Sequence, residues 1–128
     1  MPEEYLLHVP ENYNSTISHP ILFNFHGYGG TATNHILTAD FRSIAYTAGF
    51  ILIYPQGLPL DKDSPHWNIA ENGGDNKSNS DDFGFIVLLI NELSISYNID
   101  ENRTYACGYS NGAGISFSAA CHLMGLFV

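Results

Sequence analysis

Thr104-Tyr105-Ala106-Cys107-Gly108-Tyr109-Ser110-Asn111-Gly112-Ala113-Gly114 is the stretch on which the reading of this chain turns. A short buried-strand pattern stops at Gly108, and small residues continue from Asn111 at helical pitch, so a strand bends sharply into a helix. Between them Gly108 to Gly112 spell G-x-S-x-G. A serine on such a turn sits on strained backbone with its hydroxyl above the sheet edge, the way a nucleophilic serine is presented. Bulk at the flanking glycines would clash with the neighbouring strand and helix. Gly112, Ala113 and Gly114 let the helix approach closely, so that its N-terminus faces negative charge developing at the serine. The bland alternative is a glycine-rich turn with an incidental serine. The strand before and the helix after favour the elbow, with Ser110 as candidate nucleophile.

Upstream the same alternation repeats. Tyr5 to Val9 reads as a short strand ended by Pro10. Ile21-Leu22-Phe23-Asn24-Phe25 is a compact apolar run that stops at His26-Gly27-Tyr28-Gly29-Gly30, a buried strand feeding a glycine loop. Residues 35–48 are predicted as one helix, with Ile36, Leu37, Phe41, Ile44, Ala45 and Ala48 at helical spacing and Gly49 as its stop. Phe50 to Tyr54 repeats the buried-strand pattern. Residues 55–80 form a long loop, a feature usually functional in a compact domain. Asp81-Asp82 caps a helix over 82–97, Asp100-Glu101-Asn102 makes a turn, and the last helix runs from 111 to about 123. The fold class is therefore α/β: a three-layer α/β/α sandwich with strands near 5–9, 21–26, 50–54 and 104–108 in one mostly parallel sheet, the first of them antiparallel.

Composition narrows the partners. With 45% hydrophobic and 13% charged residues the chain is globular rather than disordered. Four basic against 13 acidic residues give a net charge of −9, which argues against a phosphate backbone as partner and disfavours an anionic membrane surface. Apolar runs such as Phe85 to Ile90 are too short to span a bilayer. Met1-Pro2-Glu3-Glu4 is acidic where a signal peptide would be basic. The 2 cysteines, Cys107 and Cys121, are read as core thiols rather than a disulfide framework.

The His26–Gly30 loop is where an oxyanion-hole loop belongs, one of its N–H groups joining the N–H of the residue after the nucleophile. The assigned donors are the Tyr28 and Asn111 amides, and glycines let the main chain approach a substrate oxygen. His26 anchors this loop by hydrogen bonding and is not assigned as general base.

Four blocks together resemble the alpha/beta-hydrolase superfamily, and within it the polyhydroxybutyrate depolymerase-like and feruloyl esterase group. They are His26 to Gly30, Gly49 to Gly57, Asp81 to Ile86, and Tyr97 through Arg103-Thr104-Tyr105 into Ala113, matching in order and spacing across nearly the whole chain. The resemblance implies a serine esterase with an acyl-serine intermediate, acting on small or polymeric polyhydroxyalkanoate, feruloyl or acetyl-xylan esters. It implies no cofactor and an extracellular or periplasmic location. It also places His26, Gly27, Tyr109 and Trp67 near the substrate, Trp67 as a platform beside the active site. His66 stands where relatives often carry cysteine, so no disulfide is expected there, and bulky Tyr28 is expected to narrow the acyl pocket.

One departure matters. In this superfamily the acid and then the base follow the serine. After Ser110 the chain has no Asp or Glu, and its later histidine is His122, 12 residues on. Along a helix that is about 18 Å of rise. The chain is therefore read as the N-terminal portion of one esterase domain, an alpha/beta-hydrolase fold truncated after the nucleophile helix and short of a strand at its start. Alone it is expected to be inactive, with the strand at 104–108 left as an open edge. Other readings stay open. A non-catalytic remnant or binding module on the same fold would look alike. Gly108, Gly112 and Gly114 also fit a dinucleotide loop, although Phe117 stands where the third glycine belongs and no acidic residue follows to hold a ribose. Asn72, Asp75, Asn76, Asn79, Asp81 and Asp82 suggest calcium only weakly, lacking EF-hand spacing. No histidine spacing suits zinc, so no metal is assigned.

Overall fold

The computed structural model describes residues 4–60, 64–70, 78, 80–123 and 125–127. Asn72, Asp75, Asn76 and Asn79, raised above as calcium ligands, lie outside the described residues. In chain order the elements are β1 (Tyr5–His8), β2 (His19–Phe25), α1 (Ala32–Thr38), α2 (Arg42–Ala48), β3 (Ile51–Pro55), β4 (Pro59–Leu60), β5 (Ser64–Pro65), α3 (Asp82–Ser96), β6 (Ile99–Gly108) and α4 (Asn111–His122).

The main sheet has the order β1-β3-β2-β6. β1 runs antiparallel to β3, while β2 is parallel to both β3 and β6. The α/β expectation and the direction of the first strand both hold. After β2 the chain goes to one side to form β3 and then returns to the other side as β6. The order thus reverses at β2, and the crevice at the carboxyl ends of β2 and β6 is a topological switch point, where open α/β sheets place their ligands. Phe25 pairs with Gly108, so the loop after β2 and the turn after β6 emerge side by side.

Alternation along the buried strands builds the three layers. Ile21, Phe23, Phe25, Ile51 and Ile53 point to one face and pack under Phe85, Ile86, Leu89, Ile90 and Leu93 of α3 and Ile115 and Ala119 of α4. Leu52 and Tyr54 point to the other face, against Ala32 of α1 and Ala45 of α2. α3 begins where its sequence says: the Asp81 carboxylate accepts from the Gly84 N–H at 2.9 Å, capping the first turn. β6 pairs with β2 alone among the described residues, so it stands at the edge.

Two expectations are corrected. The helix read over 35–48 is two helices, the first starting at Ala32 behind its N-cap Thr31, whose hydroxyl accepts from Asn34 N–H. They are separated at Ala39-Asp40-Phe41. The buried Tyr54 hydroxyl donates to Ala39 O at 2.5 Å and accepts from Phe41 N–H at 3.1 Å, taking over both groups that a continuous helix would have paired internally. Leu37 and Ile44 are consequently exposed. The turn read at Asp100–Asn102 lies inside β6, as an irregularity where His19 pairs with Ile99 and Ile21 with Thr104. Asp100 folds that irregularity locally by accepting from Asn102 N–H and from Arg103.

Candidate active site

Ser110 sits at φ 53°, ψ −112°, among the described residues the one non-glycine with positive φ. An L-residue adopts that backbone only when its surroundings impose it. The surroundings are two close approaches. A Cβ on Gly108 would collide with the Gly112 carbonyl group, and a Cβ on Gly112 with the carbonyl oxygens of Phe25 and His26. β6, α4 and the end of β2 are thus pressed together at backbone distance. Tyr109 N–H donates to Phe25 O at 3.2 Å and Gly112 N–H to Tyr109 O at 2.8 Å, which fixes both sides of the serine. The Ser110 residue is exposed, and Tyr109 beside it is 71% exposed.

The loop after β2 is held from below. A backbone N–H can only donate, so the 2.9 Å contact from Gly57 N–H makes His26 Nε2 an acceptor. His26 Nδ1 therefore carries the proton and donates to Gly27 O at 2.7 Å. Both ring nitrogens are engaged. Burial lowers the His26 pKa, partly opposed by the bond to Gly27 O, and keeps the ring neutral. Gln56 adds a second clamp: its Oε1 accepts from Ala32 N–H at 2.8 Å, and its Nε2 donates to Gly57 O at 3.1 Å and, more weakly, to Gly30 O. Nothing in the sequence singled out Gln56; its place after the buried strand β3, beside the glycine loop, is the signal that could have.

Within this loop Gly29 N–H donates to Pro65 O and Gly30 N–H to Gly27 O. The Tyr28 N–H has no partner among the described residues, and neither does the Asn111 N–H at the first position of α4. Both amides belong to the neighbouring segments that meet at the switch point.

Trp67 corrects an expectation. Its ring is 2% exposed and cannot serve as a substrate platform. Instead Nε1 donates to His26 O at 2.9 Å, and the ring packs edge-on against Phe25. Its backbone exchanges two hydrogen bonds with the Asn111 side chain, Trp67 N–H to Oδ1 at 2.7 Å and Nδ2 to Trp67 O at 3.1 Å. Trp67 thus ties the long loop to both halves of the elbow. The neighbouring Asn68 N–H donates to Asp82 Oδ2 at 2.7 Å, which anchors the same loop to α3. Burial raises the Asp82 pKa, opposed by that bond and by His66. Asp81 and Asp82 thus serve a helix start and a loop anchor. Among the described residues no three His, Cys, Asp or Glu side chains gather to hold a metal.

The cysteines also differ from expectation in part. Both are free thiols; Cys107 is half-buried, its pKa raised by burial, but Cys121 is exposed on α4. His122 ends α4, at the far end from Ser110, with its ring 5.3 Å from Phe83. No helix among the described residues is long and apolar enough to cross a membrane.

No family model matches the chain. Among known proteins it is 28% identical over 124 residues to a probable feruloyl esterase C of Aspergillus flavus, matching 92% of this chain and 41% of that protein. It is 26% identical to feruloyl esterase C of Emericella nidulans, with the same coverage. The chain spans about two fifths of the length of the curated relatives it matches. Among solved structures, a thermostable esterase superposes with a TM-score of 0.72 at 25% identity, over 96% of this chain and 34% of that one. The acetyl xylan esterase of Aspergillus awamori gives 0.76 at 20% identity, over 96% and 43%. Each of these likenesses runs over nine tenths or more of this chain.

Proposed function

We propose that this chain carries the nucleophile and the oxyanion-binding amides of a carboxylic ester hydrolase. The observation that supports the reading best is the Ser110 backbone, strained, exposed and one residue ahead of a helix, beside a second loop with an unpaired N–H. In the proposed reaction Ser110 Oγ attacks the ester carbonyl carbon. The carbonyl oxygen takes up negative charge and is held by the Tyr28 and Asn111 amides, with the N-terminus of α4 adding a favourable dipole. The tetrahedral species collapses, the alcohol leaves with a proton, and water then releases the acid from the acyl-serine.

The proton from Ser110 needs a base, and the side chain holding that base needs orienting. His26 does not supply it, because its Nε2 already accepts from Gly57. We place base and acid outside these 128 residues, so that the activity belongs to a longer polypeptide. The feruloyl and acetyl xylan esterases named above make esters of phenolic acids or of carbohydrates the substrate classes to try first, and an extracellular or periplasmic location belongs to the same proposal.

The test joins residues 1–128 to the part of the Aspergillus flavus relative that follows its matched region. The chimera is exposed to a fluorophosphonate probe. Labelling is expected at Ser110 and is expected to vanish in Ser110→Ala. Labelling that survives this substitution would overturn the assignment.

A further inference from the structure

Among the described residues two buried side-chain atoms have no hydrogen-bond partner, His66 Nε2 and Asp82 Oδ1. Both residues are 1% exposed. A carbonyl oxygen only accepts, so the 3.1 Å contact with Leu58 O puts a His66 proton on Nδ1, and in the neutral ring Nε2 is a bare lone pair. Asp82 Oδ2 accepts from Asn68 N–H at 2.7 Å, while Oδ1 receives nothing. The N-terminus of α3 favours an ionised carboxylate there, yet the Gly84 N–H of its first turn is taken by Asp81 Oδ1 and the Phe85 N–H by Asp81 O. Burial raises the Asp82 pKa and the Asp81 charge adds to this; the Asn68 bond opposes it, and so does His66 in its cationic form. An ionised Asp82 beside a neutral His66 makes two neighbouring buried acceptors with no donor for either, a costly arrangement. A proton on Nε2 would bury two charges instead. A proton on Oδ1 buries none and turns one of the two acceptors into a donor.

This pair stands at one end of a strap. Residues 65–68 each hold a different neighbour. Pro65 O accepts from Gly29 N–H at 2.7 Å, and His66 N–H donates to Leu58 O. Trp67 holds His26 O and the Asn111 side chain, and Asn68 N–H ends on Asp82. We propose that Asp82 is a proton-operated anchor for this strap: the folded chain keeps a proton on Oδ1 with His66 neutral, and release of that proton to solvent as the pH rises loosens residues 65–68. Once ionised, Oδ1 has no protein donor, and water is the donor left to it. Water entering there competes for the Asn68 N–H, the bond that fixes the strap to α3. The strap braces the backbone on both sides of the elbow, so the anchor sets the pH range over which the elbow is braced. The proposal does not depend on what Ser110 does.

The experiment uses residues 1–128 and two variants. Asp82→Asn keeps an acceptor for Asn68 N–H and puts a permanent donor in place of Oδ1. His66→Asn keeps a donor for Leu58 O and removes the Nε2 acceptor. Urea unfolding is measured from acid to mildly alkaline pH. A group with a raised folded pKa gives stability that is whole below its unfolded value and is lost as the pH rises through the folded one. The folding constant of the parent relative to Asp82→Asn is therefore expected to fall above the ordinary value of 3.8, by up to tenfold per pH unit, and to level off where folded Asp82 has lost its proton. In His66→Asn the levelling is expected at lower pH, because the acid has lost its acceptor. Levelling at higher pH would mean that His66 acts as a cation and overturns the proposal, as does a ratio that does not change with pH. Trp67, the one tryptophan, sits in the strap and reports on it in the folded protein. Its quenching by acrylamide is expected to rise in the parent over the pH range in which Asp82 ionises and to stay constant in Asp82→Asn. Quenching that stays flat in the parent, or rises equally in the variant, refutes the anchor. Should a variant fail to fold, ¹³C NMR of the parent's Asp82 carboxyl decides with the parent's quenching. Titration above the ordinary carboxyl range together with rising quenching sustains the proposal, and a carboxyl already ionised throughout that range overturns it.

Discussion

Replacing Gly112 with alanine tests the packing that creates the elbow. Both Gly112 and Gly114 lie in α4, where alanine in place of glycine gains about 0.5–1 kcal/mol of helix propensity. Their surroundings differ. A Cβ on Gly112 meets two main-chain oxygens, of Phe25 and His26, at the end of a strand paired on both sides. Backbone so held cannot turn away, and overpacking of this kind costs about 1–3 kcal/mol. A Cβ on Gly114 meets only the Ile69 side chain, 3.2 Å away at Cγ2, which can rotate. Gly112→Ala is therefore expected to lose about 1–2 kcal/mol net, and Gly114→Ala to gain up to about 1 kcal/mol. With a urea slope of about 1–3 kcal/mol/M, the first midpoint falls by roughly 0.3–2 M and the second stays or rises. Trp67, the single tryptophan, is buried on His26 O and reports the transition by fluorescence. A Gly112→Ala protein as stable as the parent, or a Gly114→Ala protein that loses as much, would refute the reasoning.

Tyr54→Phe strands the Phe41 N–H and weakens the bonding of Ala39 O at the break between α1 and α2, and is expected to cost about 1–3 kcal/mol by urea titration. Asp82→Asn keeps an acceptor for Asn68 N–H while removing a buried charge. Because burial holds the Asp82 pKa above its ordinary value, the carboxylate costs stability once ionised, so the asparagine variant should gain on the parent at pH 7.5 and lose that advantage as the pH falls. His26 and His35 have lowered pKa values, so the folded state binds their protons less readily than the unfolded chain. Their contribution is whole above the unfolded value of 6.5 and is lost as the pH falls from there through the folded values, which a urea midpoint measured between pH 8 and pH 5 detects as a decline that His26→Gln makes shallower.

What was legible in the sequence was what depends on local pattern. Ile21 to Phe25 and Phe50 to Tyr54 are apolar runs bounded by turn residues, and Gly108 and Gly112 occupy offsets that a sharp strand-to-helix turn demands. What was not legible depends on contacts between distant residues. The break between α1 and α2 is set by a hydroxyl from β3, 15 residues from the carbonyl it meets. The burial of Trp67 is set by His26 O, 41 residues away, and by Asn111, 44 residues away. Gln56 and Asp82 act on loops they do not adjoin in sequence, so no periodicity reveals them. The position of the Tyr28 and Asn111 amides could be read ahead of the structure because backbone groups follow from position alone, whereas the bond from His35 to Asn24 joins residues 11 apart that share no pattern.

That difference also decides what a polypeptide of residues 1–128 can do. Amides and a strained serine are supplied by the two loops at the switch point, but a proton acceptor has to be a side chain brought to Ser110. The 6 histidines can be weighed in turn. His19 lies at the opposite end of β2, with Nδ1 near Gly49 O and Nε2 near Asn14 O. His8 lies on β1, at the other margin of the sheet, and His122 at the far end of α4. His26 has both nitrogens engaged, and His66 is buried with Nδ1 on Leu58 O. His35 is buried, with Nε2 held by Asn24 Oδ1 at 2.7 Å, whereas Ser110 is exposed. On the proposed reading, Ser110 of this polypeptide is then an ordinary alcohol. An oxyanion hole and binding without a working triad retain about 10³–10⁴-fold over water, a small part of an enzyme's rate. Hydrolysis of p-nitrophenyl acetate by this polypeptide is accordingly expected to be close to that of its Ser110→Ala variant. Turnover at the level of ordinary esterases, lost in Ser110→Ala and in His35→Gln, would mean that His35 reaches the serine and that the search for a base elsewhere is mistaken.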